Sequence, residues 1–99
     1  MKISISSSAF GDLEGIIAYY QEQGAPHVGK EFIAAILNHI QTLELHPAIG
    51  RVVPEFYKEH IREIIHRPFR IVYLLEATSI QVIRIWRSER LLELPDEKT

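Results

Sequence analysis

The stretch from 61 to 75, IREIIHRPFRIVYLL, carries Arg62, Arg67 and Arg70, with His66 among them, inside one of the most apolar parts of the chain. Arg84, Arg87 and Arg90 follow. A guanidinium presents a rigid fork of donors that matches phosphates and carboxylates, and it bears partial burial better than an ammonium. Such a set suits a surface that recognises phosphates or carboxylates. Glu55, in VVPEF, could act as a general base if it faced Arg70 in a cleft, although an exposed loop carboxylate is the simpler expectation. For any single arginine, a stem lying along a sheet with its tip in water is explanation enough. Six between residues 61 and 90 favour a recognition surface. Trp86 closes the last apolar segment and serves either as core or as an interface anchor.

Other chemistries find little support. The histidines at 27, 39, 46, 60 and 66 offer no helical i,i+4 pair with a suitable third ligand, so no metal site is expected. His66 borders the arginines, but a structural role is the preferred reading. The five glycines are scattered and form no phosphate loop, and no nucleophile elbow appears. Absence of cysteine excludes disulfides, thiolate metal sites and a cysteine nucleophile. No cofactor is expected.

Ninety-nine residues make one domain, spanning 1–99, with one hydrophobic core. An apolar share of 46% with 24% charged residues is that of a globular protein. No stretch approaches the roughly eighteen apolar residues of a membrane span, and MKISISSSAF lacks the apolar run of a secretory signal, so a cytoplasmic protein is expected. The net charge of −2 argues against a general nucleic-acid binder. Its distribution is uneven. Residues 1–60 carry four basic and seven acidic side chains, residues 61–90 six arginines against three glutamates, and the last nine residues return to acid.

Positioning these residues falls to elements legible from periodicity. Alternation around Ile3 and Ile5 predicts a first strand. Serines 6–8 offer an N-cap, Asp12 and Glu14 suit the positive end of a helix, and Phe10, Leu13, Ile16, Ile17 and Tyr20 predict a helix over 8–22. Gly24 ends it and Pro26 opens a second, whose stripe from Val28 to Leu43 stops before His46-Pro47. Residues 47–60 read as loop with a short extended piece. Segments 61–66, 69–75 and 80–87 read as strands paired in sequence as an antiparallel meander. The expected fold is α+β: an N-terminal strand and an antiparallel two-helix hairpin packed on a small antiparallel sheet, in the order β-α-α-β-β-β. Alternation places Val82, Arg84 and Trp86 on one face, and Ile83, Ile85 and Arg87 on the other. Neither sheet face is cleanly polar, so the second face needs cover, from a partner or from curling of the sheet.

GRVVPEF (50–56), IREIIHRPFRIVYLL (61–75) and IQVIRIWRSERLL (80–92), behind a helix hairpin, resemble the RelE/ParE superfamily of bacterial toxins, most closely its ParE-like branch. The resemblance implies the toxin of a type II toxin–antitoxin pair, of the kind associated with plasmid stabilisation. A cognate antitoxin with an acidic C-terminal segment would neutralise it, in a complex that can be of higher order. ParE-like members inhibit DNA gyrase and cut nothing. RelE-like members are ribosome-dependent mRNA endonucleases. The positions matching nuclease residues are Arg70 and Arg90, with Glu55 a candidate base. Where RelE-type nucleases place lysines on the preceding strand stand Ile61 and Glu63, and the tail LLELPDEKT supplies no tyrosine or histidine. Gyrase inhibition is therefore the preferred expectation. RNA cleavage and a non-toxic module that only binds an antitoxin are the alternatives. Residues expected to bind target or antitoxin are Arg62, Arg67, Arg70, Arg84, Trp86, Arg87 and Arg90.

Overall fold

The computed structural model describes residues 1–87. Its elements are β1 (Lys2–Ile5), α1 (Ser7–Glu22), α2 (Pro26–Gln41), a 3-10 turn (Thr42–Glu44), β2 (Arg51–Val52), β3 (Ile61–His66), β4 (Phe69–Leu75) and β5 (Ser79–Arg87). This is the α+β layout read from the sequence, with one refinement. The five strands lie in the order β1-β5-β4-β3-β2, and β1 runs parallel to β5, so the sheet is mixed. β1 and β5 come from opposite ends of the described chain, and no hairpin turn fixes their relative direction.

Local signals account for the helix hairpin. The Ser6 hydroxyl accepts the Ala9 N–H at 3.1 Å and caps α1. At the other end Gly24 takes φ 75°, with its N–H donating to the Gln21 carbonyl and that of Ala25 to Tyr20, the paired bonds of a Schellman stop. Pro26 then occupies the first position of α2, where no N–H is needed. One core joins Ala9, Leu13 and Ile16 of α1, Ile36 and Ile40 of α2, and the inward residues of the sheet, among them Ile64, Phe69, Ile71, Tyr73, Val82 and Ile85. Aromatic edges continue the packing across elements, from Tyr20 to Phe32 at 5.6 Å and from Phe32 to Phe69 at 5.3 Å.

Two expectations are corrected. The alternation in β5 breaks at a bulge: Val82 lies opposite Tyr73, yet Arg84 lies opposite Val72 and Ile85 opposite Ile71. Ile83 is the extra residue, so Val82 and Ile85 share the helix-facing side instead of opposing each other. Asp12, in turn, does not serve the α1 N-terminus, whose first turn holds no acid. It lies one turn further on and reaches the sheet. β1 stops opposite Val82, and beyond that point β5 has no strand partner on this side among the described residues. There the Ser6 hydroxyl donates to the Ile83 carbonyl at 3.2 Å, and Asp12 Oδ2 accepts the Ile85 N–H at 2.8 Å. Side chains thus close an edge that would otherwise invite pairing with another chain.

The segment 47–60 is tied down by Tyr73, which is fully buried. Its hydroxyl donates to the Pro47 carbonyl at 2.8 Å and accepts the Gly50 N–H at 3.0 Å. Burial pushes the phenol pKa up. Gly50 permits this approach, because a Cβ there would stand 2.6 Å from the Tyr73 hydroxyl and from the Glu63 carbonyl.

His66, at the end of β3, is packed against α2: its Nδ1 lies 3.0 Å from Nδ1 of His39. The ring centroids are 5.2 Å apart, so the two nitrogens lie close to the line joining the rings and point at each other. One ring donates and the other accepts, an arrangement that double protonation destroys. Burial, then the charge of His66, lower the His39 pKa from 6.5. The folded chain therefore binds fewer protons than the unfolded one in this range. The stability contributed is present above pH 6.5 and is lost as pH falls through the folded value. Urea midpoints should drop between about pH 7 and about pH 5.5, and His39→Gln should flatten that slope. Equal slopes in both proteins would remove the pair from the account.

Candidate functional site

On the sheet face away from the helices, β2, β3 and β4 bring together Arg51, Glu63 and Arg70. Arg51 lies directly opposite Glu63, and Arg70 lies opposite Ile65, diagonal to Glu63 on the same face. Glu63 is 1% exposed and Arg70 6%. The carboxylate of Glu63 accepts Arg51 Nε at 2.6 Å on one oxygen and Arg70 Nε on the other. Glu55, from the loop after β2, closes the arginine from outside: NH1 and NH2 of Arg70 each reach a Glu55 oxygen at 2.9 Å. Two cations thus meet two anions, and all three nitrogens of the Arg70 guanidinium are bonded. The hydrogen bonds from Arg70 hold Glu55 below the usual carboxylate range, and its partners raise the pKa of Arg70. Glu55 does lie in an exposed loop, as expected, but it is engaged there. The cover inferred for the second face comes, at this end, from the chain itself.

The second constellation lies where α1 crosses the unpaired part of β5. Asp12 receives two bonds from Arg84, at 2.9 Å from Nε and 2.9 Å from NH2, besides the Ile85 amide. This pairing raises the Arg84 pKa. The Arg84 guanidinium also stands 5.2 Å from the Trp86 ring centre. On the opposite face of β5, Arg87 lies over Tyr19 at 5.8 Å and over Phe69 at 5.5 Å. Gly11 and Gly15 leave α1 without side chains on its flank, and a groove of about 630 Å³ opens there, walled by Tyr19, Tyr20, Arg84, Trp86 and Arg87.

The seven residues expected to bind a partner are therefore dispersed. Arg84, Trp86 and Arg87 share the groove. Arg70 lies in the buried network. Arg62 clamps the loop, donating to the Gly50 carbonyl at 2.9 Å and the Glu59 carbonyl at 3.0 Å, and meeting the Glu59 carboxylate at 3.3 Å. Arg67 is exposed in the β3–β4 turn beside the cis peptide to Pro68. Arg90 falls outside the described residues. Tyr19 and Arg51 carry no signal in the sequence, and Asp12 reads there only as a helix N-terminal acid. Asp12 sits at the helical position an N-terminal acid would nearly occupy, and its partner is some seventy residues away, so no local signal could reveal it. Among the described residues, no three histidine or acidic side chains could hold a metal ion, and no helix is long and apolar enough to cross a membrane.

The chain is thus a helix hairpin on a mixed sheet, with an ion network on one side and a cationic–aromatic groove at the other edge. The profile of the ParE toxins of type II toxin–antitoxin systems (parDE) matches residues 3–92, and the chain belongs to that family. The fold is similar to a chain from a solved structure, the chromosomal ParDE toxin–antitoxin system of P. aeruginosa. That similarity has a TM-score of 0.74 at 22% identity, over 88% of this chain and 95% of the other. No curated protein matches the sequence.

The two glutamates of the network should differ sharply in weight. Glu63→Ala leaves a buried guanidinium short of its innermost anion, and unfolding free energy should fall by about 3–5 kcal/mol. The Glu55 side chain is 38% exposed, so Glu55→Ala should cost about 1 kcal/mol or less. Chemical denaturation of both variants checks the ranking. Equal losses would mean that Arg70 is held mainly from outside.

Proposed function

We propose that this toxin works by protein–protein contact, inhibiting DNA gyrase, and that a cognate antitoxin with an acidic C-terminal segment neutralises it. The state of Arg70 carries the choice of target class. A nuclease must present cations free to meet charge developing on a phosphoryl group. Arg70 is buried, and its donors are committed to Glu63 and Glu55. Glu55, held ionised by the same contact, is a weak base. The candidates for RNA cleavage within the described residues thus neutralise each other. A net charge of −2 adds no general attraction to RNA.

The antitoxin reading rests on the family and on the groove. Family members act in toxin–antitoxin systems, and the similar solved fold is that of such a system. Arg84 and Arg87 beside Trp86 and Tyr19 give an acidic, partly apolar segment both charge complementarity and area to bury. With gyrase and an antitoxin as partners, the proposed site of action is the cytoplasm.

Purified protein should block gyrase supercoiling at concentrations that leave ribosome-bound mRNA intact. Cleavage of that mRNA with unimpaired supercoiling would overturn the target assignment, and absence of growth arrest on expression would favour a binding module. The affinity of the antitoxin segment should weaken several-fold between about 0.05 and 0.5 M salt. An affinity indifferent to salt would remove the acidic-segment part.

A further inference from the structure

Phe56 and Tyr57 form the tip of the segment joining β2 to β3. Tyr57 has φ 54°, in the left-handed region that bulky L-residues seldom occupy. It is also 86% exposed, and Phe56 beside it is 42% exposed. The tip is nonetheless well held. Both backbone N–H groups donate to the Val53 carbonyl at 3.1 Å, and Val53 is fully buried. Glu55, the residue before the tip, is fixed to Arg70 by two bonds, and Arg70 is locked onto Glu63. Among the described residues the Tyr57 hydroxyl has no hydrogen-bond partner.

Glycine would take this backbone conformation without strain. A tyrosine takes it at a cost and holds a large ring in water, with no burial in the free chain to offset either. Both features make sense if the ring is buried in a complex, since a rigid, pre-placed aromatic loses little freedom on binding. We infer that the Phe56–Tyr57 tip is the anchor by which this chain engages its target, a protein offering an apolar pocket. The inference rests on the reading of the protein as a toxin directed at a protein.

Two observations select that partner. The strand order sets the tip, beside β2 and β3, at the opposite edge of the sheet from the groove along α1 and β5. A segment seated in the groove leaves the tip open to a second protein. A single-stranded nucleic acid would also stack on aromatic rings, but it needs cations free for its phosphates. Arg51, Arg62 and Arg70 are all ion-paired, which leaves the exposed Lys58 beside Tyr57 as a single cation at the tip among the described residues, too little charge to follow a phosphate chain.

The test compares wild type with Tyr57→Gly, Tyr57→Asn and Phe56→Ala. Asparagine keeps the left-handed preference without the ring, so it separates loss of the ring from loss of rigidity. The expected result is a Tm for Tyr57→Gly equal to or above that of wild type, and antitoxin affinity within about twofold. At least about tenfold more protein should be needed to inhibit supercoiling, and growth arrest should weaken in all three variants. Full potency in stable Tyr57→Gly and Tyr57→Asn proteins would overturn the inference and leave the proposed function standing. Parallel loss of antitoxin binding would assign the tip to the antitoxin and also overturn it. RNA cleavage by wild type that disappears in the tyrosine variants would replace the protein pocket with a nucleic acid. A harmless wild type overturns toxin reading and anchor together, and the wild-type culture alone reveals it.

Discussion

A carboxylate with almost no access to water, Glu63 in the middle of β3, sets the terms for one half of the molecule. An isolated charge at such a site is prohibitively unfavourable, so the fold must deliver cations to both of its oxygens. β2 supplies Arg51 from directly opposite, and β4 supplies Arg70 from the diagonal position. Because side chains alternate along a strand, sliding β3 by one residue would turn Glu63 toward the helix-packed core and leave Arg70 without it. A buried ion network gains little over a well-packed apolar replacement, whereas breaking one is severely unfavourable. Its effect here is to make one register of three strands far better than its neighbours.

The consequences spread outward from that pair. With Nε of Arg70 turned inward to Glu63, its two remaining nitrogens face the loop and draw Glu55 down across the sheet. Glu55 fixes the start of the tip, while Arg62 fixes its return through the carbonyls of Glu59 and Gly50. Tyr73 secures the approach to β2 from the core side. A segment with no regular structure of its own is thereby tied to the sheet at both ends. The position of the Phe56–Tyr57 tip is thus linked to core electrostatics through Glu55 and Arg70.

Much of this was legible in the sequence wherever the signal was local. Apolar spacing marked both helices to within a residue or two, Gly24 and Pro26 marked the turn between them, and β-rich runs marked β3, β4 and β5. Local signals do not carry pairing. The direction of β1 depends on a strand at the far end of the described chain, and the bulge at Ile83 obeys the geometry of the β4–β5 pair and no composition rule. Glu63 was noticed only as an acid where a nuclease would have lysine. That it is the partner of Arg70 follows from register, which a linear pattern does not display. The arginine cluster misled in the same way, because nearness along the chain is not shared exposure. Arg62, Arg70 and Arg84 satisfy carboxylates of their own chain.

The groove at the other edge already contains the kind of anion that the proposed antitoxin segment would bring. Asp12 bonds Arg84 twice and the Ile85 amide once, doing from α1 what a neighbouring strand's carbonyls would do. The acidic segment proposed for this groove would exchange one carboxylate for another at Arg84, so that ion pair would contribute selection more than net affinity. The net gain must come from covering Trp86, Tyr19 and the bare flank at Gly11 and Gly15. In the free chain, meanwhile, the Ile83 carbonyl and the Ile85 amide on this edge are already satisfied. Asp12 therefore caps this edge at Ile85 against indiscriminate strand addition, and the proposed partner would have to offer apolar area as well as charge to displace it.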